Sequence, residues 1–183
     1  MKITTTPLDG LLVIEPKVFE DERGLFLETF QSSRYKAAGI KDDFNQDNQS
    51  RSSQGVLRGL HFQIKHPQAQ IITVLRGCIF DVAVDLRTMS PTYGKWFGVE
   101  LSDTGPRQMY MPPGFAHGFC VISELADLHY KVSGEYDPTD EGGLIWNDSE
   151  VGIKWPKIQK IISAKDLKFL GLKDIKSKQL PII

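Results

Sequence analysis

The chain is short of cysteine: Cys78 and Cys120 are the only two, and both sit in apolar, strand-like runs. Two such thiols make no multi-bridge framework, so they read as buried free thiols of a reducing compartment. Long apolar runs are missing too. None approaches the ~18–20 residues of a membrane span, and the stretch Met1-Lys2-Ile3-Thr4-Thr5-Thr6-Pro7 lacks the apolar centre of a signal peptide. The expectation is a cytoplasmic protein with no membrane partner. Neither sign of charge dominates: 22 Lys and Arg against 23 Asp and Glu leave a net charge of −1, so no global positive field recruits nucleic acid. Any anionic ligand must be held by a few local arginines or lysines. There is no G-x-G-x-x-G, no G-x-x-x-x-G-K-[ST] and no nucleophile elbow. The histidines His61, His66, His117 and His129 form no His-x-His or His-x-x-x-His pair, and no Glu closely follows His61. No metal is expected.

What is present reads as mostly β. Apolar or alternating segments recur at Leu11–Pro16, Leu25–Phe30, Gly55–Gln63, Ala69–Leu75, Cys78–Leu86, Trp96–Leu101, Gln108–Met111, Gly118–Ile122 and Asp127–Val132. Turn chemistry separates them, as in Asp21-Glu22-Arg23-Gly24, Ser90-Pro91-Thr92-Tyr93-Gly94 and Pro112-Pro113-Gly114. Many short strands at this spacing predict a sandwich or jelly-roll barrel rather than βαβ units. A helix is expected at Ser32–Ala38, capped by Ser32 and stopped by Gly39, and a second near Ser163. The 183 residues suit one domain, 1–183, with the Lys-rich tail 165–183 packed on its surface.

The chemistry centres on Val56-Leu57-Arg58-Gly59-Leu60-His61-Phe62-Gln63. Strict alternation puts His61 on the face of Gly59, opposite Arg58. That leaves two readings open: a hydrogen-bonded core histidine, or a proton carrier near neutral pH. Other acid–base candidates are His117, Tyr130, Tyr136, Asp81, Asp85, Asp166 and Glu141, with Arg23, Arg58 and Lys165 as anion binders. Asp81 and Asp85 share one strand face with Ala83; periodicity alone leaves that face either solvated or turned inward to orient histidines. For His117 the plain alternative is a turn histidine bonded to backbone, and for Tyr130 a core tyrosine with its hydroxyl at the rim.

A series of blocks in order resembles one family closely. They are Glu15-Pro16-Lys17-Val18-Phe19, Asp21-Glu22-Arg23-Gly24, Gln46-Asp47-Asn48, the Arg58–His61 stretch, Phe80–Arg87, Ser90-Pro91-Thr92, Pro113–Phe119, Trp146-Asn147-Asp148, Trp155-Pro156 and Ser163-Ala164-Lys165-Asp166. Over nearly its whole length the chain is similar to the dTDP-4-dehydrorhamnose 3,5-epimerases, cofactor-free enzymes of cupin fold.

The resemblance implies a mainly β, cupin-type jelly-roll barrel with short peripheral helices, no cofactor, a nucleotide-diphosphate sugar as substrate, and a homodimer that exchanges an N-terminal strand. It also implies roles: His61 as base, Asp166 as the carboxylate paired with it, and Tyr130 as acid on the opposite face. Arg23, Glu28, Gln46, Asp47, Asn48, Arg58, His117, Glu141 and Lys165 match substrate-binding positions. The expected reaction is epimerisation at carbons 3 and 5 of a 4-keto-6-deoxy sugar. The alternatives are epimerisation at one carbon, or isomerisation of a related 4-keto sugar, and a barrel that binds a nucleotide-sugar without turning it over. The chain departs from the family's Ala-Gln-x-Lys-Leu segment, whose lysine serves the enolate oxygen. In Ala69-Gln70-Ile71-Ile72-Thr73-Val74 that position is assigned to Ile72, with Lys65, His66 or Arg58 as candidate substitutes.

Overall fold

The computed structural model describes all residues, Met1–Ile183. In chain order the elements are β1 (Lys2–Thr5), β2 (Leu12–Glu15), β3 (Val18–Asp21), β4 (Gly24–Leu27), α1 (Ser32–Ala37), β5 (Phe44–Ser53), β6 (Val56–Gln63) and β7 (Gln70–Arg76). They continue with β8 (Cys78–Asp85), β9 (Trp96–Ser102), β10 (Gln108–Met111), β11 (Phe115–Val121), β12 (Leu125–Ser133), β13 (Glu141–Gly143) and β14 (Ile161–Ile162), followed by three 3₁₀ turns. One sheet runs β1-β2-β10-β7-β12-β5 and the other β13-β6-β11-β8-β9, with β14 joining β6; β3 and β4 form a separate hairpin.

Alternation on the strands explains how the sheets stack. Ile72 and Val74 of the first sheet meet Ile79, Ala83, Phe115 and Phe119 of the second, in one core between the sheets. The opposite parity serves the outer faces. Val82, Val84, Leu60 and Phe62 lie under the C-terminal segment, where Leu180 is buried and Leu172 and Ile175 pack alongside. Ile14 and Ile71 lie under α1 through Tyr35. Thus the tail does pack on the body, as a lid on one face of the second sheet.

Several expectations change. The helix starts at Ser32 with Gln31 as its unbonded cap, and Gly39, at φ +94°, ends it. Near Ser163 there is a single 3₁₀ turn, Asp166–Lys168, rather than a helix, although the Ser163 hydroxyl does accept the Asp166 N–H at 3.0 Å. β5 escapes the hydrophobic pattern because its sequence, Phe-Asn-Gln-Asp-Asn-Gln-Ser-Arg-Ser-Ser, is polar on both faces. β1 and β3 were also unmarked by the pattern, being short and largely exposed.

The alternation across Arg58 and His61 is broken. On β6 these two residues pair with Phe119 and His117 of β11, so three steps on one strand oppose two on the other. Such a bulge shifts the parity by one residue, and it needs Gly59, whose φ is +115°. A Cβ there would lie 2.6 Å from both Gly118 Cα and the His117 carbonyl oxygen. Val56, Arg58, His61 and Gln63 consequently share the inner side, while Leu60 and Phe62 join the outer core.

Candidate active site

At one end of the space between the sheets lies an open cleft, about 730 Å³ when its mouth is counted. Its walls come from β5 (Asn48), β6 (His61, Gln63), β7 (Gln70), β11 (His117), β12 (Tyr130) and the segments that carry Gln68, Tyr136 and Glu141.

His61 is held from behind. Its Nε2 lies 2.9 Å from Asp166 Oδ1, and the other Asp166 oxygen accepts the Gly59 N–H at 3.2 Å. The Phe169 ring stands edge-on to the imidazole, 5.6 Å between centroids. Burial pushes the Asp166 carboxyl up, but the hydrogen bonds from His61 and Gly59 outweigh it and leave Asp166 below the usual carboxylate range. A carboxylate there fixes the hydrogen of neutral imidazole on Nε2, which leaves the Nδ1 lone pair free to take a proton.

Tyr130 enters from the facing sheet. Burial raises its hydroxyl to about 12, so it is protonated at neutral pH and able to donate; its oxygen is 2.9 Å from Ser50 Oγ. Between these groups is His117, whose ring stands edge-on to Tyr130 at 6.2 Å. His117 is a buried strand residue bonded to a side chain, not a turn histidine: its Nε2 meets Asp81 Oδ1 at 2.7 Å. Asp81 and Asp85 thus both face inward, but to different ends. Asp85 instead ties the turn after β8, accepting bonds from Arg87, Ser90 and Thr92.

At the mouth Glu141 accepts Lys165 Nζ at 2.8 Å and the Tyr136 hydroxyl at 2.9 Å. Burial raises Glu141, but these donors bring it below its usual value. Gln46 bonds Asn48 at 3.0 Å and the Tyr136 N–H at 2.9 Å. Arg58 donates to Ser52 Oγ at 3.2 Å and lines a second cleft beside His61, with Lys165 and Asp166.

Three of the matched positions lie elsewhere in the protomer. Asp47 points outward and pairs with Lys131 at 2.6 Å. Glu28 pairs with Arg34 at 2.8 Å. Arg23 sits at the exposed tip of the β3–β4 hairpin against Asp21.

Ile72 is fully buried in the core between the sheets, away from the cleft. The β7 residue that lines the cleft is Gln70, two positions earlier on the same face. The assignment of the oxygen-facing position to Ile72 is therefore wrong. Alternation along β7, followed from the buried Ile72 toward the strand's start, is the signal that finds Gln70. Gln68 was also missed, because amide side chains give no titration or motif signal.

A family model described as dTDP-4-dehydrorhamnose 3,5-epimerase matches residues 5–174. The chain belongs to that family. A dTDP-4-dehydrorhamnose 3,5-epimerase of Methanothermobacter thermautotrophicus is 48% identical over 172 residues, 92% of this chain and 93% of that protein. Among solved structures, the dTDP-6-deoxy-D-glucose-3,5-epimerase of Legionella pneumophila Philadelphia 1, in complex with dTDP-4-keto-L-rhamnose, superposes with a TM-score of 0.97 at 47% identity. The match covers 100% of this chain and 98% of that one. A dTDP-4-dehydrorhamnose 3-epimerase of Streptomyces niveus is 42% identical over 168 residues, 91% of this chain and 81% of that protein. The two stacked sheets are the cupin-type barrel of this epimerase family, and the chain is an isomerase-class enzyme.

Proposed function

We propose that the protein, as one cupin-like domain spanning 1–183, epimerises dTDP-4-dehydro-6-deoxy-D-glucose at carbons 3 and 5, giving dTDP-4-dehydro-L-rhamnose without a cofactor. The observation that carries this reading is the Asp166–His61 pair, 2.9 Å apart, opening on the cleft it shares with a protonated Tyr130. His61 Nδ1 takes the proton from the sugar carbon next to the C4 ketone. The C–H electrons become the enolate double bond, and the carbonyl π pair moves to oxygen. Tyr130 then returns a proton from the opposite face, which inverts the centre. Before the second centre reacts, His61 releases its proton to solvent and the tyrosinate takes one from solvent, which restores both groups.

Gln46, Asn48, His117 and Glu141 are positioned to orient the sugar and base, and Arg58 and Lys165 to meet the diphosphate. Arg23, Glu28 and Asp47 do not reach the site within one chain. The β3–β4 hairpin that carries Arg23 also exposes Phe19 and Phe26. These features favour a homodimer in which the hairpin of one subunit completes the other's site, and the free thiols of Cys78 and Cys120 fit the reducing cytoplasm. A mixture of Arg23→Ala and His61→Asn chains should regain activity through heterodimers; two inactive populations that never complement would oppose the exchange.

The test of the reaction is turnover of dTDP-4-keto-6-deoxyglucose in D₂O, followed by mass spectrometry and NMR. Deuterium at both carbons is expected. Label at one carbon would place the protein with the 3-epimerases, the second reading favoured by the Streptomyces niveus relative. A product without deuterium would sink both.

A further inference from the structure

No lysine or arginine lines the cleft that holds His61 and Tyr130; Arg58, in the adjoining cleft behind His61, acts on the Tyr130 hydroxyl without lining this one. The lining has two histidines, two tyrosines and Glu141. Removing a proton beside a ketone places negative charge on the ketone oxygen, and that charge must meet preorganised donors. Most of the polar groups present are engaged. Asp81 holds His117 Nε2, the Asp137 backbone takes both ends of the Gln63 amide, and Tyr130 is needed as the acid.

Three amide donors remain, on Asn48, Gln68 and Gln70; with Asn48 given to orienting the ligand, the two glutamines are left for the ketone oxygen. Gln70 opens β7 and Gln68 lies two residues before it; both line the cleft. Gln70 is paired with Val132 on β12, one diagonal step from Tyr130. Gln68 Nε2 is buried and has no hydrogen-bond partner in the protein, a costly state for an amide unless something else occupies its donors. The next residue on the Gln70 face of β7, Ile72, is sealed into the core away from the cleft.

We infer that the Gln68 and Gln70 side-chain amides form a neutral oxyanion site that holds the C4 ketone oxygen of the sugar and stabilises the enolate. The inference rests on the epimerase reading above and specifies who meets the charge in it. Uncharged donors have a distinctive consequence: they do not titrate. The alkaline limb of the pH profile then belongs to Tyr130 and to no cation in the cleft.

The test compares wild type with Gln68→Met, Gln70→Met and Gln70→Lys in the deuterium-exchange assay, with dTDP affinity and thermal midpoint measured on each. Each Met variant keeps the length of the side chain but not its donor. We expect exchange to fall about 10²-fold or more for each, in kcat rather than KM, with dTDP binding and folding unchanged. Gln70→Lys should retain exchange and gain a new alkaline limb from the lysine. Met variants that exchange at the wild-type rate would overturn the amide assignment while leaving the epimerase reading intact. Wild type that exchanges no deuterium would overturn both. Equal losses in kcat and thermal midpoint, with no recovery in Gln70→Lys, would reduce the two glutamines to structural residues.

Discussion

His61 and His117 are paired across neighbouring strands, and each has its Nε2 on an aspartate, at 2.9 Å and 2.7 Å. Their surroundings differ. Asp166 has a backbone N–H on its second oxygen and lies below the usual carboxylate range. Asp81 is wholly buried, its second oxygen has no partner, and burial pushes its carboxyl above that range despite the pull of His117. The His61 ring is partly open to solvent and the His117 ring is nearly closed off. One geometry thus serves two ends. A buried carboxylate with both oxygens bonded orients a ring that must gain and lose protons, whereas one with an unpartnered oxygen locks a ring that must stay still.

The comparison breaks most readily at the rings. His61→Asn should lower deuterium exchange about 10²–10⁴-fold at both carbons, with dTDP binding by calorimetry unchanged; a normal exchange rate would remove His61 as base. Tyr130→Phe should hurt net epimerisation more than proton loss, so a normal product yield would refute its role as donor. Asp166→Asn should lower kcat by up to about 10⁴-fold, because an amide donor facing Nε2 favours the wrong tautomer. Its thermal midpoint should move less than that of Asp81→Asn.

Asp81→Asn should act on stability, because its amide nitrogen would sit unbonded where Oδ2 lies now. We expect about 1–3 kcal/mol in urea titration. The pH dependence then sharpens the contrast. Asp81, raised when folded, adds stability below its unfolded pKa near 3.8 and loses it as pH climbs through the folded value. The Asn variant lacks that slope, so its deficit should shrink from pH 4 toward neutrality. Asp166, lowered when folded, adds stability above about 3.8 and loses it as pH falls through its folded value. The Asp166→Asn deficit should therefore be full at neutral pH and fade below pH 4. Parallel pH curves for the two variants would erase the distinction. The smallest effect is expected from Ser163→Ala, about 1 kcal/mol, through the lost bond to the Asp166 N–H.

The strands that were legible are those with an apolar face. β8 alternates Val82 and Val84 outward against Asp81 and Ala83 inward, and β10 matches its expected bounds of Gln108–Met111. β5 was illegible for a physical reason. Its inner face carries Asn48, Ser50 and Ser52, which serve the cleft, Tyr130 and Arg58, so the hydrophobic signal vanishes where the chain is given over to binding. The pairing of His61 with Asp166 came from family resemblance, since no spacing rule links residues 105 apart. The common side of Arg58 and His61 was misread because a bulge is a backbone event that alternation cannot register. The same holds for Ile72, where the residue pattern was right about depth and the block alignment was wrong about position.

The partner of His61 comes late in the chain. Asp166 lies beyond β14, in a segment that folds back along β6 and continues into the cover of the second sheet. A ribosome-bound chain halted after β12 already carries His61, Tyr130 and every strand of the two main sheets except β13 and β14, but nothing to set the imidazole's tautomer. Synthesis therefore delivers the reactive ring and its switch at separate times, and a protease that clipped the polypeptide after Ile162 would silence the base by removing its orienter.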